Sequence, residues 1–340
     1  MHQASYTIRF HSPAFLGDAR QNGAWRVPPL KAQLRFWWRV AMAAGNVDWP
    51  TIREAEGRLF GSASEQGQGS QRSRVRLRLG QWRPGRLEEW PGSGMRRVGS
   101  ISDGKNRVAA DLYLGFGVLQ YGGPGKPTVM AKHRAPSINV GDTNEFRLAY
   151  PVDDALHGVV GSLSPAIGLL DRLGTVGGRS RNGWGSVGLD GAPAVRLGDY
   201  AVDWQIALDQ TAPVALGRDV DGVLAWQTEL VADWTQAIQL LGQIRKDLCQ
   251  KAGDLRPLLS HPVTKRQAAG WGKNERVPNT LRFKVIPDGG KVRGLVFHMP
   301  CRPSDELWKQ LREYDRDDLV HLWGTVHQHL DQTLERVKEP

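Results

Sequence analysis

Nine histidines are the first residues to question about chemistry, because an imidazole near neutral pH can both accept and donate a proton. His11 follows a strand-like segment and borders a basic loop. It is a candidate general acid or base for cleaving RNA, and the position equally suits a structural histidine. Asp18, in FLGDAR (15–20), could assist such a cleavage or pair with Arg20. The stretch between His11 and His133 contains no further histidine, which weakens a nuclease reading. His327 and His329 stand two apart on an expected helix and point to different faces, while His321 and His329 are about two turns apart, too far to share one ion. No H-E-x-x-H, His/Cys zinc spacing or G-x-S-x-G elbow occurs, so neither a metal nor a cofactor is expected. Cys249 and Cys301 lie far apart and outside any C-x-x-C, which predicts buried thiols in a cytoplasmic protein.

The cations are more suggestive than the acids and bases. Residues 174–189 (GTVGGRSRNGWGSVGL) hold six glycines, with Arg179 and Arg181 between them. Gly177, Gly178, Gly183 and Gly185 would let backbone N–H groups lie close to a phosphate, to which the arginines add charge. The segment is not a Walker loop and does not fit G-x-G-x-x-G, and a tight hairpin with exposed arginines is the plainer alternative. Lys31, Arg35 and Arg39 form a row at i, i+4, i+8 of an expected helix, and Arg74, Arg76 and Arg78 alternate along an expected strand. Either row suits a phosphate backbone or a solvated face.

The elements that must position these residues begin with a strand at 5–10. A helix over LKAQLRFWWRVAMAAG follows, opened by Pro28-Pro29 and closed at Gly45, and a second helix runs over about 50–60. Trp37 and Trp38 are neighbours, so one of them is expected at a boundary or interface. Further strands are expected at 73–80, 111–121, 145–152 and 200–208. Helices are expected at 153–173, about 221–248, and from Asp315 or Asp317 to about Val337. LRFKVIP and VRGLVFHMP, joined by DGGK, predict a hairpin. The order suits two α+β sandwiches better than a Rossmann sheet.

The chain has 340 residues and a net charge of +10. Residues 1–190 carry 25 basic and 15 acidic side chains, whereas 191–340 carry 20 of each. This divides the chain into a basic module, 1–190, that prefers a polyanion, and a neutral module, 191–340. A 40% hydrophobic composition with 13 Trp excludes global disorder. No apolar run approaches the roughly 20 residues of a membrane span, and MHQASYTIRF lacks a signal pattern.

FHSPAFLGDA, then PPLKAQLRFWWRVAM, then EAEGRLFGSA, and later GTVGGRSRNGWGSVG together resemble the RAMP superfamily of CRISPR-associated proteins, in particular the first subunit of type III-B (Cmr) effector complexes. LRFKVIPDGGKVRGLVFHMP resembles that family's late strand pair. The resemblance runs over about residues 5–300. It implies two ferredoxin-like (RRM-like) modules packed together, and a non-catalytic subunit contacting the 3′ part of a guide RNA and its paired target beside other RAMP subunits. It makes Lys31, Arg35, Arg39, Arg179 and Arg181 candidate RNA contacts, with Gly177, Gly178, Gly183 and Gly185 lying against the RNA. The Gly- and Arg-rich insertion at 83–145 has no role in that scheme. An endoribonuclease of the same superfamily, using His11 or Asp18, is the alternative, and an RNA-binding protein outside CRISPR defence is a third.

Overall fold

The computed structural model describes residues 1–18, 22–44, 48–63, 69–91, 97–98, 108–123, 126–131, 137–151, 163–260, 271, 275–310 and 313–339. Arg20, Gly45, His133 and the first part of the helix expected at 153–173 lie outside them. The chain is mixed α+β and divides into two compact units. One comprises Met1–Trp90, Met130–Ser180 and Trp184–Tyr200; the other comprises Pro91–Val129, Arg181–Gly183 and Ala201–Pro340. The first unit carries 20 basic and 14 acidic residues and the second 25 and 21, so the charge excess is +6 and +4.

In the first unit, strands β1 (His2–Phe10), β2 (Arg76–Leu79), β3 (Thr143–Tyr150) and β4 (Val187–Asp190) form an antiparallel sheet in the order β2-β3-β1-β4. Alternation divides each strand between two faces. Ile8, Phe10, Leu79, Phe146, Leu148 and Val187 are buried, while Arg9, Arg76, Arg78 and Arg147 are exposed. Helices α1 (Val27–Ala44), α2 (Trp49–Phe60) and α3 (Ser164–Leu173) belong to the same unit, and α1 packs on both others. Pro28 and Pro29 sit in the first turn of α1, where a missing N–H costs nothing. Asp48 caps α2 by accepting from Thr51 N at 3.0 Å. Pro165 sits in the first turn of α3. The expectation for the tryptophan pair fails: Trp37 and Trp38 are each 1% exposed. Because α1 has a helix on two sides, it buries a wider arc than one amphipathic stripe, and Trp38 meets Phe60 edge-on at 5.7 Å.

The second unit repeats the strand order. Here β5 (Ala225–Gln227), β6 (Leu281–Asp288), β7 (Lys291–His298) and β8 (Glu335–Arg336) form an antiparallel sheet in the order β6-β7-β5-β8. Helices α4 (Trp234–Lys251) and α5 (Arg316–Thr333) follow β5 and β7 in the chain. The expected hairpin is β6-β7, turning at Gly289-Gly290. Asp315 caps α5 in a reciprocal capping box with Asp318.

Three expectations for this unit are overturned. The segment 200–208 has only a short strand, Ala201–Asp203, because the Asp203 carboxylate accepts from Gln205 N and Ile206 N and starts a helical turn at Trp204. The helix expected from 221 begins at Trp234, capped by Asp233; the residues before it pair as strands. The segment 111–121 is a helical turn, Ala110–Gly115, and then a strand, Leu119–Tyr121, with the buried Asp111 carboxylate accepting from Leu112 N at 2.7 Å. Among the described residues no helix is long and apolar enough to cross a membrane.

Candidate nucleic-acid interface

The open face of the first sheet carries the arginines predicted on the strand, Arg76 and Arg78. Register places Arg78 beside Arg147 and Arg147 beside Ser5, while Arg76 lies beside Ala149 and Ala149 beside Gln3. These residues line a shallow groove of about 520 Å³. The Arg147 guanidinium grips Glu145 through two hydrogen bonds of 2.7 Å, and Ser5 donates to the same carboxylate at 3.0 Å. Those bonds, with the charge of Arg147 and Arg78, hold the Glu145 carboxyl below its ordinary range. Arg9 pairs with Asp190 at 3.4 Å. Among the described residues Arg76 and Arg78 make no ion pair within 4.0 Å and stay exposed, so their charge is available to a phosphate. Arg74 lies before the strand, its N–H donating to Leu59 O at 2.9 Å.

The helical row is engaged within its own unit. Lys31 Nζ donates to Phe60 O at 3.2 Å, while Arg35 and Arg39 share the Glu56 carboxylate, which is buried. Burial, together with the charge of Arg35, lowers the Lys31 pKa. Two guanidiniums on one carboxylate leave a single positive charge on a half-exposed surface, and the row ties α1 to α2.

The Gly-rich segment folds back on its own chain. Gly177 (φ +101) and Gly185 (φ +63) approach backbone so closely that a Cβ would stand 2.8 Å from Phe15 O and 1.9 Å from Val176 O, respectively. Gly178 N donates to Phe15 O at 3.0 Å, and Gly185 N donates to Pro13 O at 2.8 Å. Gly183 packs beside Ile238 and Leu241 in the second unit. The close approach that these glycines permit is thus taken up by protein. Between them Arg179 is exposed and is the one non-glycine residue among those described with a left-handed backbone, φ 56. Arg181 hands its carbonyl to Phe283 N at 2.9 Å and is itself exposed.

His11 and Asp18 each serve a local purpose. His11 N donates to Ser186 O at 2.8 Å, and its ring lies over Gly188, where a Cβ would stand 2.6 Å from Nε2. The Asp18 carboxylate accepts from Asn22 N at 2.9 Å. Among the described residues no group of histidine, cysteine and carboxylate side chains is arranged to hold a metal ion.

Sequence reasoning missed two buried clusters, both in the second unit. His298 Nδ1 and His327 Nε2 are 2.9 Å apart, and His298 Nε2 is 3.2 Å from Thr280 Oγ1. The His298 ring stacks on Trp323 at 3.9 Å, and His327 meets Trp204 edge-on at 4.9 Å. Burial takes His298 far below its ordinary pKa and His327 down to about 3. One histidine is on a strand and the other on a helix, so no spacing in the chain announces the pair. In the second cluster burial, aided by Arg181, brings the Arg282 guanidinium down to about 9, and burial pushes the Cys301 thiol up to about 12. Both cysteines are free and buried, as expected.

Solved structures similar to the chain include the crystal structure of Cmr1 from Pyrococcus furiosus in its apo form, at 16% sequence identity, 97% coverage of both chains and a TM-score of 0.46. The chain is similar to Cmr1 over nearly its whole length. The cryo-EM structure of the Type III-B Cmr-beta bound to cognate target RNA is a second, at 13% identity, covering 95% of this chain and 99% of that one, with a TM-score of 0.49. No protein-family profile and no curated protein matches the chain.

Proposed function

We propose that the chain is a non-catalytic, RNA-binding subunit of a type III-B (Cmr) CRISPR effector complex. In this reading it holds the 3′ part of the guide RNA and its paired target in antiviral defence, in the cytoplasm, beside other RAMP subunits. The observation that carries the binding role is the open sheet face of the first unit, where Arg76 and Arg78 stand exposed without ion-pair partners among the described residues. The motif order from FHSPAFLGDA to GTVGGRSRNGWGSVG supports the family assignment. The reading of two ferredoxin-like modules has support in the β-α-β-β-α-β series that each unit's main sheet follows, with the strands ordered second, third, first, fourth in both.

Within this proposal the arginines differ in role. Arg76, Arg78 and Arg179 are the RNA contacts, and Arg181 contributes from the same Gly-rich segment. Lys31, Arg35 and Arg39 supply a weaker field from the surface that α1 and α2 share, and Arg74 flanks the strand row. The guide supplies sequence specificity, and the protein reads phosphates.

Incubating the purified chain with end-labelled guide precursor and with guide–target duplex tests the non-catalytic part. Retention of intact RNA is the expected result. Turnover that disappears in His11→Ala or Asp18→Ala would instead establish the endoribonuclease alternative.

A further inference from the structure

Trp82 is 69% exposed, although an indole in water forfeits a large favourable burial. Its backbone is held from both sides. Gly80 N donates to Glu145 O at 2.8 Å, which continues the pairing of β2 with β3 beyond Leu79. The Asn144 side chain then takes the place of the ladder, accepting from Gln81 N at 3.1 Å and donating to Gln81 O at 2.8 Å. On the other side of Trp82, the Arg83 guanidinium donates to Thr143 O at 3.2 Å. The ring is therefore presented to solvent from a fixed base, with little ordering left to cost on binding.

Two exposed cations that make no ion pair within 4.0 Å among the described residues lie just before it in the chain. Arg78 is four residues back, within about 14 Å at full extension, and Arg76 stands about 6.7 Å further along the strand. Two guanidiniums at strand spacing followed by an exposed aromatic ring form a sequence of groups that matches phosphate, phosphate, base. We propose that Trp82 is a stacking platform for an unpaired nucleotide base, and that the Arg76–Arg78 row carries the adjoining phosphates of the same strand. This rests on the RNA-binding reading above and adds to it what lies at Trp82: an unpaired stretch of that RNA continuous with the guide–target duplex, since a duplex hides its base faces. A protein partner fits less well. Such a partner would bury a contiguous apolar patch, and the sheet face that Arg76 and Arg78 border presents Gln3, Ser5, Thr7 and Arg147.

The test compares the full chain with its Trp82→Ala, Trp82→Phe and Arg76→Ala/Arg78→Ala variants by fluorescence anisotropy. The probes are a short oligouridylate and an abasic ribose-phosphate oligomer of equal length. Trp82→Ala should weaken oligouridylate binding about tenfold and leave the abasic oligomer unchanged, because stacking acts only where a base is present. Trp82→Phe should retain most of the affinity, and the double arginine variant should weaken both probes alike. Trp82→Ala losing nothing, or losing equally on both probes, overturns the stacking role; the RNA-binding reading then survives on the arginine variant alone. If the unaltered chain binds neither oligomer, this inference fails; the RNA-binding reading fails with it only if a guide–target duplex is not bound either.

Discussion

Gly185→Ala should destabilise the chain by about 3 kcal/mol, the largest loss expected from adding one methyl group to it. About 1–2 kcal/mol comes from placing an L side chain in the left-handed region, since Gly185 has φ +63. The rest comes from the backbone shift needed to separate the new Cβ from Val176 O, which stands 1.9 Å away. That shift cannot be local, because Gly185 N donates to Pro13 O and Gly185 O accepts from Val176 N, both at 2.8 Å. Gly191→Ala is the internal control: Gly191 has φ +85 but no neighbour within 4 Å of an added Cβ. Urea unfolding should therefore separate the two variants by about 1–2 kcal/mol or more. Equal losses would mean that the Gly-rich segment yields where the structure has it pinned.

The second large effect is acid sensitivity of the second unit. His298 and His327 are both held below their ordinary pKa by burial, His327 at about 3. In the unfolded chain each titrates near 6.5, so between that value and the folded one the unfolded state binds more protons. The stability contributed by burying a neutral imidazole is present above about pH 6.5 and is lost as the pH falls below it. For His327 alone the loss between pH 7.5 and pH 5 is about 2 kcal/mol, and His298 adds in the same direction. The neighbouring carboxylates Asp219 and Asp331 have lowered pKa values, so they lose their contribution only at still lower pH. Urea unfolding at pH 7.5 and 5 should show this drop, and His327→Gln should remove about one proton from its slope. A stability independent of pH over that interval would contradict the buried neutral pair.

What could be read from the chain beforehand was local. The β1 alternation, the Pro28-Pro29 opening of α1, a last helix starting at Asp315 or Asp317 and the β6-β7 hairpin are each written within about a dozen residues, and each is present in the structure, the last helix beginning just after Asp315. Errors arose where a distant partner decides the local conformation. Leu224 and Leu230 fit a helical stripe, but Leu224 O accepts from His298 N at 2.9 Å, and Ala225–Gln227 lies between β7 and β8. The Asp219–Gly222 turn, in which Asp221 N donates to the Asp219 carboxylate, was the signal against a helix there. The candidate site divides in the same way. The alternation of Arg76 and Arg78 correctly placed them on one exposed strand face. The Lys31, Arg35 and Arg39 spacing correctly placed them on one helix face, but nothing in the spacing told that Glu56 of another helix would occupy it. Trp82 went unnoticed because exposure of a single tryptophan leaves no pattern.

The central claim is that RNA phosphates bind the open sheet face of the first unit. The most direct measurement is the salt dependence of oligouridylate affinity for the full chain and for Arg76→Ala/Arg78→Ala. Affinity should fall steeply with salt, and the double variant should bind about tenfold more weakly at low salt, with the slope of log affinity against log salt reduced by about 1.4, or 0.7 for each lost phosphate contact. Equal slopes and equal affinities for the two proteins would contradict the account.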